Sequence, residues 1–84
     1  MSKALDLWMT RVQELGCLIC GAPAVLHHPR EGVGKAQRSP DWCVIPLCPF
    51  HHAPPHGIHG PNFYLQHRCD EWDLLAEVIE KLNS

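Results

Sequence analysis

Leu5, Trp8, Val12 and Leu15 recur at i, i+3, i+7 and i+10, so one apolar side repeats along a helix over residues 3–15. Ser2 stands where an N-cap is needed and Gly16 where the helix should stop. The same spacing returns at Trp72, Leu75, Ile79 and Leu82 behind Asp70, a residue type suited to an N-cap, which predicts a second helix over residues 71–82. Both stripes are explained as core. Between the helices the period changes: "AVLHH" (24–28) and "CVIPL" (43–47) are short apolar runs bounded by Pro and Gly, and predict the two strands of a hairpin. The intervening "PREGVGKAQRSPD" has turn geometry from Gly32, Gly34 and Pro40, and Arg30, Lys35 and Arg38 give this loop a positive tip. No repeats or low-complexity tail interrupt the pattern, and the expectation is a single small α+β domain spanning residues 1–84.

A chain of 84 residues buries only about 60–70% of its unfolded surface, so its core alone is marginal and a disulfide framework or a metal is expected to supplement it. Five cysteines are present. Their odd count, the lack of a basic-then-apolar leader after Met1 and the absence of any run near 20 apolar residues point to the cytosol. In a reducing compartment, closely spaced cysteines read as metal ligands before they read as disulfides. The formal net charge of -2 argues against a generally basic nucleic-acid binder. The charge is uneven, however: residues 1–60 carry five Lys/Arg against four acids, and residues 61–84 carry two against five.

"CLIC" (17–20) and "CPFH" (48–51) are two ligand pairs, each with two residues between partners. A knuckle turn points both members of such a pair at one ion and a second pair closes the shell, so Cys17, Cys20, Cys48 and His51 are assigned to a structural tetrahedral zinc. Cys43 and Cys69 fall outside this pattern and read as ordinary, partly buried thiols. His67 reads as a surface or hydrogen-bonded core residue. Five other histidines remain: His27, His28, His52, His56 and His59. A second metal site with an adjacent base explains that surplus. The rival expectation is a non-catalytic zinc module that binds nucleic acid or protein, for which the surplus imidazoles would be unnecessary.

The order of these motifs, "CLICGAPAVLHHPREGVG" followed by "DWCVIPLCPFHHAPPHGIHG", resembles the HNH, or ββα-metal, endonucleases, and within them the small phage and prophage Ref-like recombination nucleases. The resemblance spans roughly residues 15–80. It implies a small ββα-metal fold with a zinc knuckle, flanked by an N-terminal and a C-terminal helix. It implies metal-dependent hydrolysis of DNA phosphodiester bonds with His28 as general base, a role suited to an imidazole because it changes protonation near neutral pH. His27 and His52 would hold a catalytic Mg, Mn, Ni or Zn ion. For the remaining ligand, some HNH nucleases imply His56 and the Ref-like chains His59; Pro54 and Pro55 disfavour a helix continuing from His52 to His56, so His59 is preferred. The family's middle Asn is replaced by Cys43, and Asp41 matches an acid of related phage chains that would orient His28 or the metal shell. Arg30, Lys35 and Arg38 would contact phosphates, and a recombinase filament is an implied partner.

Overall fold

The computed structural model describes residues 3–29 and 40–83. Ser2, Gly32 and Gly34, and the proposed phosphate contacts Arg30, Lys35 and Arg38, lie outside the described residues. The chain is a small α+β structure in the order α1 (Lys3–Glu14), β1 (Val25–His27), β2 (Ile45–Leu47), α2 (Pro49–His52), α3 (Phe63–His67) and α4 (Glu71–Leu82). The strands are antiparallel, with Val25 opposite Leu47, Leu26 opposite Pro46 and His27 opposite Ile45. Each is shorter than its apolar run.

β2 is buried along its whole length and lies at the centre of the packing. On one side Val12 of α1, Val44 and Val78 of α4 are fully enclosed, with Trp8, Met9, Leu15 and Leu26 around them. On the other side Ile45 and Leu47 pack with Phe63, Leu74, Leu75 and the cysteines Cys17 and Cys48. The second group joins the sheet to the knuckle, so part of this core consists of sulfur atoms suited to a metal. The Leu18 amide donates to the Pro46 carbonyl at 3.1 Å and docks the knuckle on β2. α1 and α4 are joined where the Arg11 guanidinium donates to the Leu82 carbonyl at 3.1 Å, a cation on the electron-rich end of a helix.

α4 begins at the expected cap: Asp70 accepts from the Asp73 amide, while the Asp73 carboxylate accepts from the Asp70 amide, a reciprocal capping box. Its buried face is Leu74, Leu75 and Val78, whereas Trp72 and Ile79 from the expected stripe are each 46% exposed. At about 100° per residue the apolar residues of α4 fill a broad sector, and Trp72 and Ile79 lie together at one margin of it. Period alone could not tell which part of that sector meets β2.

After β2 the chain forms one short helix, α2, and then runs through turns over residues 53–60. Pro49 opens α2 as its first residue, and Ala53 turns extended at φ -87°, ψ 150°. Proline at 54 explains the stop, because it disfavours helical geometry in the residue before it. α3 closes at Arg68, whose φ of 56° is left-handed.

Candidate metal centres

The knuckle is shaped by the Cys17 amide donating to the Ala22 carbonyl and the Gly21 amide donating to the Cys17 carbonyl, both at 2.8 Å. Gly16 and Gly21 take left-handed φ values of 78° and 80° that let the chain turn there. The second pair comes from Cys48, which follows β2 at the N-cap of α2, and from His51 within α2. Together they bring Cys17, Cys20, Cys48 and His51 into one group. Cys20 Sγ lies 3.7 Å from Cys48 Sγ, and His51 Nδ1 lies 3.3 Å from Cys48 Sγ and 3.6 Å from Cys17 Sγ. A tetrahedral zinc with bonds of about 2.3 Å to sulfur and about 2.0 Å to nitrogen has S···S edges near 3.8 Å and S···N edges near 3.5 Å. The cluster therefore has the dimensions of a zinc shell and can bind that ion.

The electrostatics agree. Burial opposes ionisation of Cys17, but backbone N–H groups of Cys48, Cys20 and Ile19 directed at its sulfur outweigh that and bring the thiol below its ordinary pKa. At Cys20 the Ala22 N–H favours the thiolate, yet desolvation and the sulfurs of Cys48 and Cys17 together set its pKa above the ordinary value. One negative sulfur is welcome and a second needs a cation. Burial, and then His67, keep His51 below the usual histidine value, in the neutral form a ligand requires. The rings of His51 and His67 meet edge to face at 5.6 Å, so His67 packs against this cluster.

His27, His52 and His59 form the second group. β1 supplies His27 at its last position, α2 supplies His52, and the loop beyond supplies His59. That loop folds back on α2 because the Ile58 amide donates to the His51 carbonyl at 2.8 Å and the His59 amide to the His52 carbonyl at 3.2 Å. Gly57 and Gly60 permit the close approach: a Cβ at Gly57 would lie 2.4 Å from the His52 carbonyl carbon, and one at Gly60 would lie 2.2 Å from the Pro55 oxygen.

His52 Nε2 is 3.1 Å from His27 Nδ1 and 3.1 Å from His59 Nε2. A neutral imidazole nitrogen either donates one hydrogen bond or accepts one, so His52 Nε2 cannot satisfy both neighbours by hydrogen bonding. A shared cation can, since ligand bonds of about 2.1 Å separate neighbouring nitrogens by about 3.0 to 3.4 Å. The donor set fits a divalent ion. Burial, followed by the proximity of the other rings, holds His52 below the ordinary histidine pKa. Burial also lowers His27, although Glu71 opposes the shift.

His28 stands just beyond β1, outside this triad. Its Nε2 and Asp41 Oδ1 are 2.8 Å apart, so the imidazole N–H can donate to the carboxylate. Pro29, next in the chain, is fully buried. His56 is in neither group; it stacks on Phe50 with ring centroids 4.9 Å apart, and both residues are exposed. Cys43 and Cys69 are half-buried free thiols. Burial, then the charges of Asp73, Glu77 and Asp70, push the Cys69 thiol up, which disfavours a reactive thiolate.

Comparison with family models, curated proteins and solved structures finds no match. The geometry therefore carries the functional reading. Among the described residues, no helix is long and apolar enough to cross a membrane.

One participant has no counterpart in the sequence reading. Glu71, at the first position of α4, places Oε2 against His27 Nε2, on the ring nitrogen that does not face His52. It comes 44 residues after its partner and belongs to no spaced motif. The only local signal is its place after the Asp70 cap. Beside it an open cleft of about 360 Å³ is lined by Ile58, His59, Phe63, Tyr64, Asp70 and Glu71.

Proposed function

We propose that the chain is a metal-dependent DNA endonuclease of the HNH type. The observation that carries this reading is the convergence of His27, His52 and His59, with a separate His28–Asp41 pair adjoining His27 in the chain. An antiparallel β1–β2 pair leading directly into α2 is also the element order of a ββα-metal unit, with the Cys17, Cys20, Cys48 and His51 zinc as its scaffold.

In this mechanism Asp41 accepts the Nε2–H of His28 and orients the ring. Nδ1 is then the basic nitrogen, and it takes a proton from the water that attacks phosphorus. The water oxygen bonds to phosphorus as the P–O3′ bond breaks, leaving a 5′-phosphate and a 3′-oxygen that is protonated to the hydroxyl. His27, His52 and His59 would hold a divalent ion, which when bound would supply Lewis-acid stabilisation of the charge developing on the phosphoryl oxygens and the leaving 3′-oxygen. All three ligands are neutral, so the ion keeps its charge. Phosphate contacts from Arg30, Lys35 and Arg38, and delivery to DNA by a recombinase filament, belong to the same proposal. With a net charge of -2, binding to DNA by this chain alone should be weak and salt-sensitive.

The acidic flank formed by Asp70 and Glu71 favours a second reading, a non-catalytic zinc module, because carboxylates beside the cleft repel phosphate. Plasmid nicking with Mg, Mn, Ni or Zn, comparing the chain with a His28→Ala form that retains its zinc, separates the two. Nicking by the parent chain, reduced about 10²- to 10⁴-fold in the variant, supports the nuclease. Equal nicking by both, or none by either with any cation, discards it. One bound zinc per chain and no weaker second site favours the module.

A further inference from the structure

We infer that Glu71 is a positioning residue for the three-histidine site, holding His27 in the tautomer whose Nδ1 lone pair faces His52 and His59. The inference rests on reading that cluster as a metal site. His27 is 2% exposed and the Glu71 side chain 13%, so neither group can exchange its partner freely for water. His27 Nε2 meets the Glu71 carboxylate while His27 Nδ1 lies 3.1 Å from His52 Nε2. A carboxylate can only accept, so Nε2 carries the hydrogen and Nδ1 is left as the donor to an ion. A metal-bound histidine whose other N–H is held by a carboxylate has a fixed orientation and a more basic ligand nitrogen.

The placement of Glu71 is built into the fold. The reciprocal bonds between Asp70 and Asp73 set where α4 begins, which places Glu71 in its first turn, where a negative charge is favoured by the helix dipole. Burial of Leu74, Leu75 and Val78 then seats the helix. The metal affinity of a site made by β1, α2 and a loop is thereby tied to the docking of a fourth element.

The test compares the parent chain with Glu71→Ala and Glu71→Gln, each loaded with zinc at the cysteine site. Long-range ¹H–¹⁵N NMR reads the His27 tautomer without a second ion, and calorimetric titration with Mn²⁺ or Ni²⁺ reads the affinity of the second site. In the parent, His27 should be the Nε2–H tautomer. Glu71→Ala should lose that preference and weaken the second site roughly 10- to 100-fold at unchanged zinc content, whereas Glu71→Gln, which keeps an acceptor oxygen, should retain the tautomer and lose less. If Glu71→Ala does not fold, the near-isosteric Glu71→Gln decides: a Nε2–H preference stronger than that of free imidazole supports the inference, and its absence overturns it. A Glu71→Ala chain with the parent's tautomer and an affinity within twofold also overturns it. A parent chain that takes up no second ion defeats the metal reading, and the tautomer measurement still decides whether Glu71 orients His27.

Discussion

Replacing Gly57 with Ala should detach His59 from the three-histidine group and leave the zinc cluster filled. The added Cβ would sit 2.4 Å from the His52 carbonyl carbon and 2.6 Å from the Ala53 nitrogen and oxygen, where ordinary contact begins at 3.4 Å. All of these are backbone atoms that cannot rotate aside. Relief requires a displacement of roughly 1 Å, because overlap of this kind yields only by moving the chain. The loop is held by bonds of 2.7 Å from the Gly57 amide to Ala53, 2.8 Å from Ile58 to His51 and 3.2 Å from His59 to His52. Lengthening them by that amount removes them, at about 1 kcal/mol each, in addition to an overpacking cost of about 1–3 kcal/mol. Metal ligands tolerate only about 0.2 Å, so His59 would no longer bind with His27 and His52. Affinity for Mn²⁺ or Ni²⁺ should fall by at least the 10- to 100-fold that loss of a supporting partner produces. Calorimetric titration of the zinc-loaded chain measures this, with His59→Ala as the reference. The single variants should weaken binding equally, and the double variant no further. The opposite sign is available from unfolded-state entropy, by which a tolerated Gly-to-Ala change stabilises by about 0.4–1 kcal/mol. A Gly57→Ala chain that is more stable than the parent, with second-ion affinity within twofold, would refute the packing argument.

If zinc fills the Cys17, Cys20, Cys48 and His51 cluster as proposed, chelating it should unfold the chain reversibly, because an apparent binding energy of about 10–16 kcal/mol equals or exceeds a typical domain's whole stability of about 5–15 kcal/mol. Circular dichroism with chelator and then added zinc checks it, and an unchanged melting midpoint in the zinc-free protein contradicts it. Without a second ion, stability should fall as pH drops below about 6.5 toward the lowered pKa values of His27 and His52, whose depression comes first from burial. In that window the unfolded chain binds more protons than the folded one, so stability rises with pH. Urea midpoints at pH 5 and pH 7 should differ less in His52→Ala than in the parent; identical differences refute the assignment. If the chain nicks DNA as proposed, Asp41→Ala should lower nicking about 10- to 100-fold with second-ion affinity unchanged, since Asp41 holds the His28 ring rather than the triad. Equal nicking rates would remove Asp41 from the site.

What could be read in advance was local. The paired spacings at residues 17–20 and 48–51 were legible because a knuckle is a short-range structure, and the long helices because their periods run over three turns or more. α2 and α3, with four and five residues, are too short to show a period. The choice of His59 over His56 drew on resemblance and on Pro54 and Pro55. Its physical basis is the backbone fold-back at Gly57 and Gly60, which no spacing rule encodes. Glu71 was out of reach for a different reason. A carboxylate that supports a ligand can come from anywhere in the chain, and it carries no interval relative to its partner.

His51 and His52 are consecutive residues on a single turn, yet each belongs to a different cluster. On the proposed reading this adjacency imposes a filling order: α2 must first be pinned by the cysteine-bound ion before its next residue can be aimed. The chain would then act as a conditional enzyme, silent when zinc is scarce however much of the second cation surrounds it.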